Sequence, residues 1–546
     1  MEKLKIGLLI DDLNLDNFNS EIVSTIKKND SYKISLIIIN KKISKKKKII
    51  SIFKKYSILR IFEKMMIKFI FLFEEKIINN FFEKYEFTKI DLNKIDCDKI
   101  NVNQIISNNG FFYEYSDKDL KIINNHKLDV IIRMGAGILK GKILEINKYG
   151  VISYHHGDNN FFRGGPPGFW EVYFKKPSTG FVIQRLNNNL DGGEILFKGS
   201  MPTKHFYFQN QSFIFKQSAK YISNVLERIH TKQERIIDNK IYYNRIFKDP
   251  NLIQIANYII KIYSLIFFKF MRKIFLKKDN WNIAFKKGKF NEFRLEQFKI
   301  INSDKGFLAD PFLFKKNNIN YIFAEEYSYK KKRGVISCFK LTENKAVSLG
   351  TVLEESFHLS FPYIFKFENE ILMCPETFEK KEIRLYKCVE FPKKWEFKKT
   401  LLKNISATDT LIFYKNDLWW MLTNADQNEI DYTSELSIFY SKDGPLTDNW
   451  ISHKLNPIYV NPLKARNGGI IYDDRNIYRV NQKIGFNQYG KSFGINRILN
   501  IDENSYEEET FSNVKPNFFK NIHGTHHMNN NEDYTVFDFF KRKYLF

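Results

Sequence analysis

The sequence predicts two folds in one chain: an α/β half, a helical stretch, and an all-β half built as a five-bladed β-propeller. Three observations predict this. Apolar runs alternate with amphipathic stretches over residues 1–205, the pattern of strands and covering helices. Residues 206–280 hold few Gly or Pro and are mostly helical in pattern. From Trp281 onward the same strand–turn–strand phrase returns at a period of about 50 residues, which is blade-sized. The 546 residues are enough for two to four domains at roughly 150 residues each.

Composition narrows the function classes. Hydrophobic residues are 43% and aromatics 16%, so large cores can be buried and global disorder is excluded. The formal net charge of +25 first points to a polyanion. Only 16 of the 87 basic residues are Arg, however, and the other 71 are Lys. Arg is the residue that reads guanine edges and forks onto phosphates, so nucleic acid is not expected as a partner. The four cysteines, Cys97, Cys338, Cys374 and Cys388, have neither metal-ligand spacing nor the density of a disulfide scaffold. No metal is expected. The apolar run in the N-terminal MEKLKIGLLIDD is too short for a secretory core. No stretch reaches the roughly 18 uncharged apolar residues of a membrane span. A reducing, cytoplasmic location is the expectation.

The elements follow in order. KIGLLI (5–10), SEIVSTIKK (20–28) and YKISLIIIN (32–40) read as strand, helix and strand. Residues 41–90 interrupt this with a Lys-rich amphipathic insertion. It reads as helices with a solvated charged face, or as a membrane-surface segment that grips anionic lipid. The α/β pattern then resumes with a strand and Gly-rich turn, KLDVIIRMGAG (127–137), a helix, ILKGKILEINKY (138–149), and a strand, GVISYHH (150–156). The segment 258–278 sets Lys261, Lys269, Arg272 and Lys273 among bulky apolar residues. That makes it a poor span but a fit for an interface or a packed linker. The domains expected are therefore 1–205, a helical linker at 206–280, and a propeller at 281–546.

The repeat copies start at Asp310, Phe361, Asp409, Asn467 and, in degenerate form, Gly524. Each is an apolar strand, a polar turn and a second apolar strand. Their strand starts place Asp310, Asp409, Asn467 and His526 at matching positions, and Glu325, Glu326 and Glu376 end second strands. In a propeller such positions converge at one mouth. Asp310, Glu376 and Asp409 there suit acid and base roles at a glycosidic bond, or else cap strands through their own backbone. His358, Arg384, Arg466 and the Trp419-Trp420 pair are candidate sugar contacts, the tryptophans alternatively core.

The densest chemistry lies in residues 150–196. A strand ends in His155 and His156, a polar loop carries Asp158 and Asn159, and Arg163 sits in a Gly/Pro-rich turn. Trp170 opens a helix, and a second strand, TGFVIQRL (179–186), leads to the Asp191-Gly192-Gly193 turn. Ligands in open α/β sheets bind beyond strand carboxyl ends, and a His with a carboxylate there is acid–base equipment.

This stretch resembles the formyltransferase family that uses 10-formyltetrahydrofolate. His155 matches its catalytic His, Phe162-Arg163-Gly164 its Tyr-Arg-Gly turn, Pro167 and Trp170 its Pro and Trp, and Asp191 its catalytic Asp. The turn around Met134, Gly135 and Gly137 resembles the family's strand and loop beside the folate pocket. The resemblance covers about 90–205 well and 1–40 loosely. It implies a Rossmann-like domain, a catalytic set of Ser153, His155 and Asp191, and binding by Met134, Gly135, Gly137, His156, Asp158, Asn159 and Arg163. Ser153 stands where the family has a catalytic Asn, as in a branch that carries Ser-x-His-His-Gly-Asp-Asn joined to a propeller. Its hydroxyl, or His156 or Asn159, then supplies the oxyanion donor, or the chemistry has diverged. The phrases ADPFLF (309–314), HLSFPYIF (358–365), CPETF (374–378), IRLYKCVEFPKKW (383–395) and ATDTLIF (407–413) resemble the propeller at the N-terminus of glucosamine inositolphosphorylceramide transferases. They also resemble, less closely, arabinanase-type glycosidases. That resemblance implies carbohydrate handling, and the repeat positions with the candidate sugar contacts give a propeller site of Asp310, His358, Glu376, Asp409, Arg466 and His526.

Three functions follow as expectations. The first is formyl or related acyl transfer from folate to the amine of an amino sugar, with the propeller binding a glycan or glycolipid acceptor. The second is a glycosidase or glycosyl-transferring propeller beside a degenerate formyltransferase-like module. The third is a non-enzymatic scaffold at the membrane periphery.

Overall fold

The computed structural model describes residues 2–41, 56–81, 85–107, 112–135, 137–189, 192–238, 242, 244–288, 290, 298–343, 345–473 and 476–544. Two compact units divide the chain, Met1–Ile266 and Phe267–Phe546.

The first unit is built on a seven-stranded sheet. Its strands are β1 (Leu4–Ile10), β2 (Tyr32–Asn40), β3 (Asp98–Val102), β4 (Val130–Arg133), β5 (Val151–His155), β6 (Ser178–Arg185) and β7 (Glu194–Pro202). The order is β7-β6-β5-β4-β1-β2-β3. The strands β3, β2, β1, β4 and β5 are parallel, and β6 runs antiparallel to both β5 and β7. Continuous apolar runs explain the parallel strands: Leu8, Leu36, Ile37, Ile131 and Val151 are fully buried. The order reverses between β1 and β4, so their carboxyl ends open a crevice.

Helix α1 (Asn17–Lys27) starts where the Asp16 side chain accepts from the Asn19 backbone N–H at 2.8 Å. Helix α2 spans Ile58–Phe81, α3 Asp117–Asn125 and α4 Phe169–Tyr173. Helices α5 (Tyr207–Ser218) and α6 (Ile222–His230) pack on α1, and α5 also meets α2 and β6. Phe213, Ile214, Ile222, Val225 and Leu226 bury there at helical spacing. The stretch 206–280 therefore does not serve as one linker: α5 and α6 belong to the first unit's core. Helix α7 (Leu252–Phe275) follows, and the next strand already begins at Leu276.

Three further sequence expectations change. Residues 138–149, read as a helix, hold only a two-residue strand and a 3₁₀ turn at Gly141–Leu144, with Gly141 at φ +79°. The insertion's expected solvated charged face holds on α2 only for lysines such as Lys68 and Lys76, because the helix also buries Glu63 and Glu74 and exposes Ile58 and Phe69. Residues 42–55 lie outside the described residues. Finally, Leu252–Arg272 is long and apolar enough to cross a membrane by length and composition.

Among the described residues, the second unit holds five antiparallel sheets that neighbour one another in turn. It uses β8 (Leu276–Lys287), β9 (Gly306–Lys316), β10 (Ile319–Ser328), β11 (Ser360–Phe367), β12 (Glu370–Glu376), β13 (Ala407–Lys415), β14 (Leu418–Ala425), β15 (Asn467–Asp473), β16 (Asn476–Gly485) and β17 (Tyr534–Tyr544), with further outer strands. The sheets begin at β9, β11, β13 and β15, and the fifth pairs β8 with β17 along Leu276–Tyr544 to Lys287–Tyr534. The first strands neighbour one another in sequence order, and Met528–Asn530 of the fifth sheet closes the circle between β15 and β9. Trp420, Ile438, Leu411 and Leu372 fill the space between sheets.

The repeat has a structural signature. Each of the four inner strands breaks register at one place: Ala309/Phe312, Ser360/Tyr363, Thr408/Leu411 and Asn467/Ile470. A residue with positive φ sits in each bulge: Asp310 at +50°, Phe361 at +46°, Asp409 at +50° and Gly469 at +118°. The pairing aligns Asp310 with Gly468, so Asn467 falls one position earlier than the sequence phrase placed it.

Candidate functional site

In the first unit the crevice is polar. Alternation puts Ser153 and His155 on one face of β5 and Tyr154 and His156 on the other. Ser153 is buried and accepts from Arg133 Nη1 at 3.2 Å. The same guanidinium donates to the Gly137 carbonyl. Burial lowers the Arg133 pKa and the Asp11 carboxylate opposes that. Asn40 donates to Asp11 Oδ1 at 2.8 Å and accepts from Tyr115 at 2.7 Å. The two glycines of the turn are needed for close packing. A Cβ on Gly135 would meet Asp11 Oδ1 at 2.7 Å, and one on Gly137, at φ +81°, would meet the Tyr113 ring at 2.7 Å. Met134 is fixed through its backbone, donating to Leu9 and accepting from Asn19.

The His155 ring lies over Gly157, where a Cβ would stand 3.2 Å from Nε2. Gln184 pairs in register with Ser153, and its buried Oε1 has no partner among the described residues. Asn159 is buried, and neither atom of its amide has a partner there. Asp158 accepts from Lys198 at 3.0 Å and from Asn160. Asp191 lies outside the described residues.

Two expected binding residues are structural. His156 points away from the crevice and bonds Ser218 Oγ at 3.1 Å, packed on Phe18, Tyr154 and Phe215. Burial lowers its pKa to about 3, so it is a neutral packing residue. Arg163 is buried and donates to the carbonyls of Tyr242 and Asn244, which pins the turn. Strand alternation past His155 was the available signal for His156. Arg133, Asp11, Asn40 and Gln184 escaped sequence reading because their roles arise from the order of strands.

In the second unit, carboxylates converge at the bulged end of the inner strands. Asp310, Glu325, Glu376, Asp409 and Asp538 are all buried. Arg466 Nε donates to Asp409 Oδ2 at 2.6 Å, Gln482 Nε2 to the same oxygen at 3.0 Å, and Arg466 lies 3.9 Å from Glu376. Burial raises Glu376 well above the usual carboxylate range; Asp409 adds to this and Arg466 opposes it. Burial does the same to Glu325, with Asp310 and Glu376 adding. Asp310 is pushed up to about 7, again chiefly by burial.

His526 Nδ1 stands 2.6 Å from Asp538 Oδ2 and its Nε2 3.7 Å from Asp310. Trp281 stacks on its ring at 4.1 Å. Burial lowers the His526 pKa, but Asp538 and, less, Asp310 together more than reverse this, leaving it raised. The ligand atoms of Asp310, His526 and Asp538 all lie within 4.8 Å of one another, a geometry open to a cation although no metal was expected. His358 accepts from the Gly334 N–H through Nδ1 at 2.9 Å, which turns its Nε2 to Glu325 at 3.6 Å.

The structure thus brings together Asp310, His358, Glu376, Asp409, Arg466 and His526, and adds Glu325, Asp538, Gln482 and Trp281. It excludes four of the weighed residues. Glu326 turns to Ser303 and Ser337, Arg384 pairs with Glu382 on an outer strand, and Trp420 is fully buried core with Trp419 against Phe367. The ring's other end holds a cavity of about 360 Å³ lined by Lys315, Tyr363, Tyr472 and Asn530 among others.

Comparison with known proteins gives a separate likeness for each type of unit. Residues 296–534 match the family model described as glucosamine inositolphosphorylceramide transferase 1, N-terminal. The relative of that name from Oryza sativa subsp. japonica is 35% identical over 208 residues, covering 37% of this chain and 27% of the relative. Methionyl-tRNA formyltransferase of Rickettsia canadensis is 31% identical over 84 residues, covering 15% of this chain and 28% of the relative. The chain therefore spans little more than a quarter of the length of either relative. Among solved structures, a sugar N-formyltransferase from Shewanella sp FDAARGOS_354 is similar at TM-score 0.27 and 15% identity, covering 45% of this chain and 75% of that one. The catalytic domain of a Coprinopsis cinerea GH62 α-L-arabinofuranosidase is similar at TM-score 0.33 and 10% identity, covering 49% and 97%.

Proposed function

We propose that the first unit transfers a formyl group from 10-formyltetrahydrofolate to the amine of an amino sugar in surface-glycan biosynthesis. The second unit, in this reading, is a five-bladed propeller that binds the carbohydrate or glycolipid acceptor, and the protein works in the cytoplasm. The observation that carries the reading is the pairing of Ser153 with Arg133 at the strand-order reversal, with His155 on the same face of β5.

The chemistry follows from those groups. The acceptor nitrogen attacks the formyl carbon and a C–N bond forms. The carbonyl oxygen gains charge, which the Arg133 N–H and the Ser153 hydroxyl stabilise in place of the amide that the formyltransferase family uses. His155 takes the proton from the attacking amine and delivers it to the folate nitrogen as the old C–N bond breaks. Asp191 orients His155 by resemblance. The buried amide of Asn159 and the Gln184 carbonyl offer unpartnered polar atoms to a folate donor.

Purified protein supplied with 10-formyltetrahydrofolate and a panel of amino-sugar nucleotides is expected to release tetrahydrofolate, and His155→Ala to abolish the release. No release with any acceptor, together with no folate binding by calorimetry, overturns the reading.

A second reading rests on the buried carboxylates of the other unit, where burial raises the pKa of Glu376 beside the Arg466–Asp409 ion pair. A protonated acid next to a carboxylate is equipment for attacking or forming a glycosidic bond. Activity on glycans that survives His155→Ala and is lost in Asp310→Asn supports it.

A further inference from the structure

Helices α2 and α7 both expose apolar side chains, and α2 also buries acids. The buried side of α2 holds two acids. Glu63 accepts from Arg60 at 2.6 Å and from the Leu252 N–H at 3.2 Å. Glu74 is fully buried and accepts from Tyr258 at 2.5 Å and from the Phe208 N–H at 2.8 Å. The opposite side of α2 exposes Ile58, Phe62, Met65, Phe69 and Leu72, three or four residues apart and so on one face. Along α7, Ile253 and Ile260 are exposed, and the same seven-residue spacing continues at Phe267 and Ile274, which are exposed as well. Single exposed apolar residues are ordinary, but a stripe along each of two adjoining helices marks a contact surface.

Charge identifies the occupant. Lys68 and Lys76 on α2 and Lys261 and Lys269 on α7 are exposed, and α7 contains no Asp or Glu. The sequence just before α2, residues 41–55, holds eight Lys and no acid. A second copy of this chain would set cations against cations. An anionic phospholipid surface meets both features, apolar stripes for the acyl boundary and lysines for the headgroups. We propose that α2 and α7 lie flat on an anionic bilayer, with their apolar stripes inserted at its interface and Glu63 and Glu74 on the side facing the rest of the first unit. The inference does not rest on the transfer chemistry.

The test is flotation of the full chain with phosphatidylcholine vesicles, with and without about one-third phosphatidylglycerol. Flotation is expected with the anionic vesicles and is expected to weaken with added salt. The double variant Phe62→Ser/Phe69→Ser is expected to bind roughly tenfold more weakly, with an unchanged circular dichroism spectrum. Phe69→Trp is expected to shift its emission to the blue when vesicles are added. Failure to float, indifference to the double variant, or a dimer that the double variant splits without any flotation overturns the proposal. Protein that resists alkaline carbonate extraction from the vesicles would show α7 crossing the bilayer and would overturn the flat placement.

Discussion

At the scale of single residues, two adjacent histidines divide the labour of one strand. His155 faces the crevice and His156 faces the packed helices, so the pair is not interchangeable. His156→Phe is expected to keep tetrahydrofolate release near the wild-type rate in the assay that His155→Ala fails. In the proposed transfer, Arg133 is the residue that rationalises Ser153. A serine alone offers one freely rotating donor, whereas a guanidinium fixed by the Gly137 carbonyl holds a second donor in place. Arg133→Lys cannot keep both contacts, and kcat is expected to fall by about 10²–10³ with KM little changed. In the other unit, Arg466→Ala leaves Asp409 buried beside Glu376 without its cation. A loss of about 3–5 kcal/mol in stability is expected, read from urea denaturation. The His155 and Asp409 positions were legible in the sequence because each ends or begins an apolar run. Asp538 was not, since it sits inside such a run, FDFF (537–540), and gains its meaning only when β17 returns to the start of the ring.

At the scale of elements, the inner strands show why the repeat could be read but not aligned to the residue. The apolar phrase fixes where a strand lies, while the bulge that turns Asp310 and Asp409 into the mouth inserts a register shift the phrase does not reveal. In the fourth copy the positive φ falls on Gly469, one residue after the Asp310 equivalent, and a Cβ there would stand 2.1 Å from the Met528 carbonyl. Gly469→Ala is expected to cost about 1–3 kcal/mol and to lower the thermal midpoint of the protein. Helix α2 shows the opposite case. Its charged residues suggested a wet face, yet two of its three acids turn inward to pair with α7 and α5. Composition could not say which side of the helix the partners would occupy.

At the scale of the whole molecule, the carboxylate cluster makes the second unit's stability depend on pH. Glu325 holds its proton in the folded state well above pH 4.5, whereas the unfolded chain releases it near that value. Its contribution is therefore lost as pH rises from about 4.5 toward the raised folded value. Glu325→Gln removes that loss. The variant is expected to gain stability relative to wild type at pH 8 more than at pH 5, read by tryptophan fluorescence in urea. Five of the six tryptophans, Trp281, Trp395, Trp419, Trp420 and Trp450, report on this unit. The division into an α/β part and a repeated β part was plain from periodicity alone, since alternating helices and strands differ from strand pairs at blade spacing. The switch-point crevice and the mouth were visible only as lists of residues, because sheet order and ring closure are long-range facts. Closure itself has a consequence for biosynthesis. Strand β8, the first strand of the second unit, pairs with Lys299–Ile301 on one edge and finds its partner on the other edge in β17, residues 534–544. During translation, four sheets can form while the β17-facing edge of β8 waits bare. A nonsense change at Tyr534 would therefore leave the ring as open, and as prone to stick to its neighbours, as a far earlier stop.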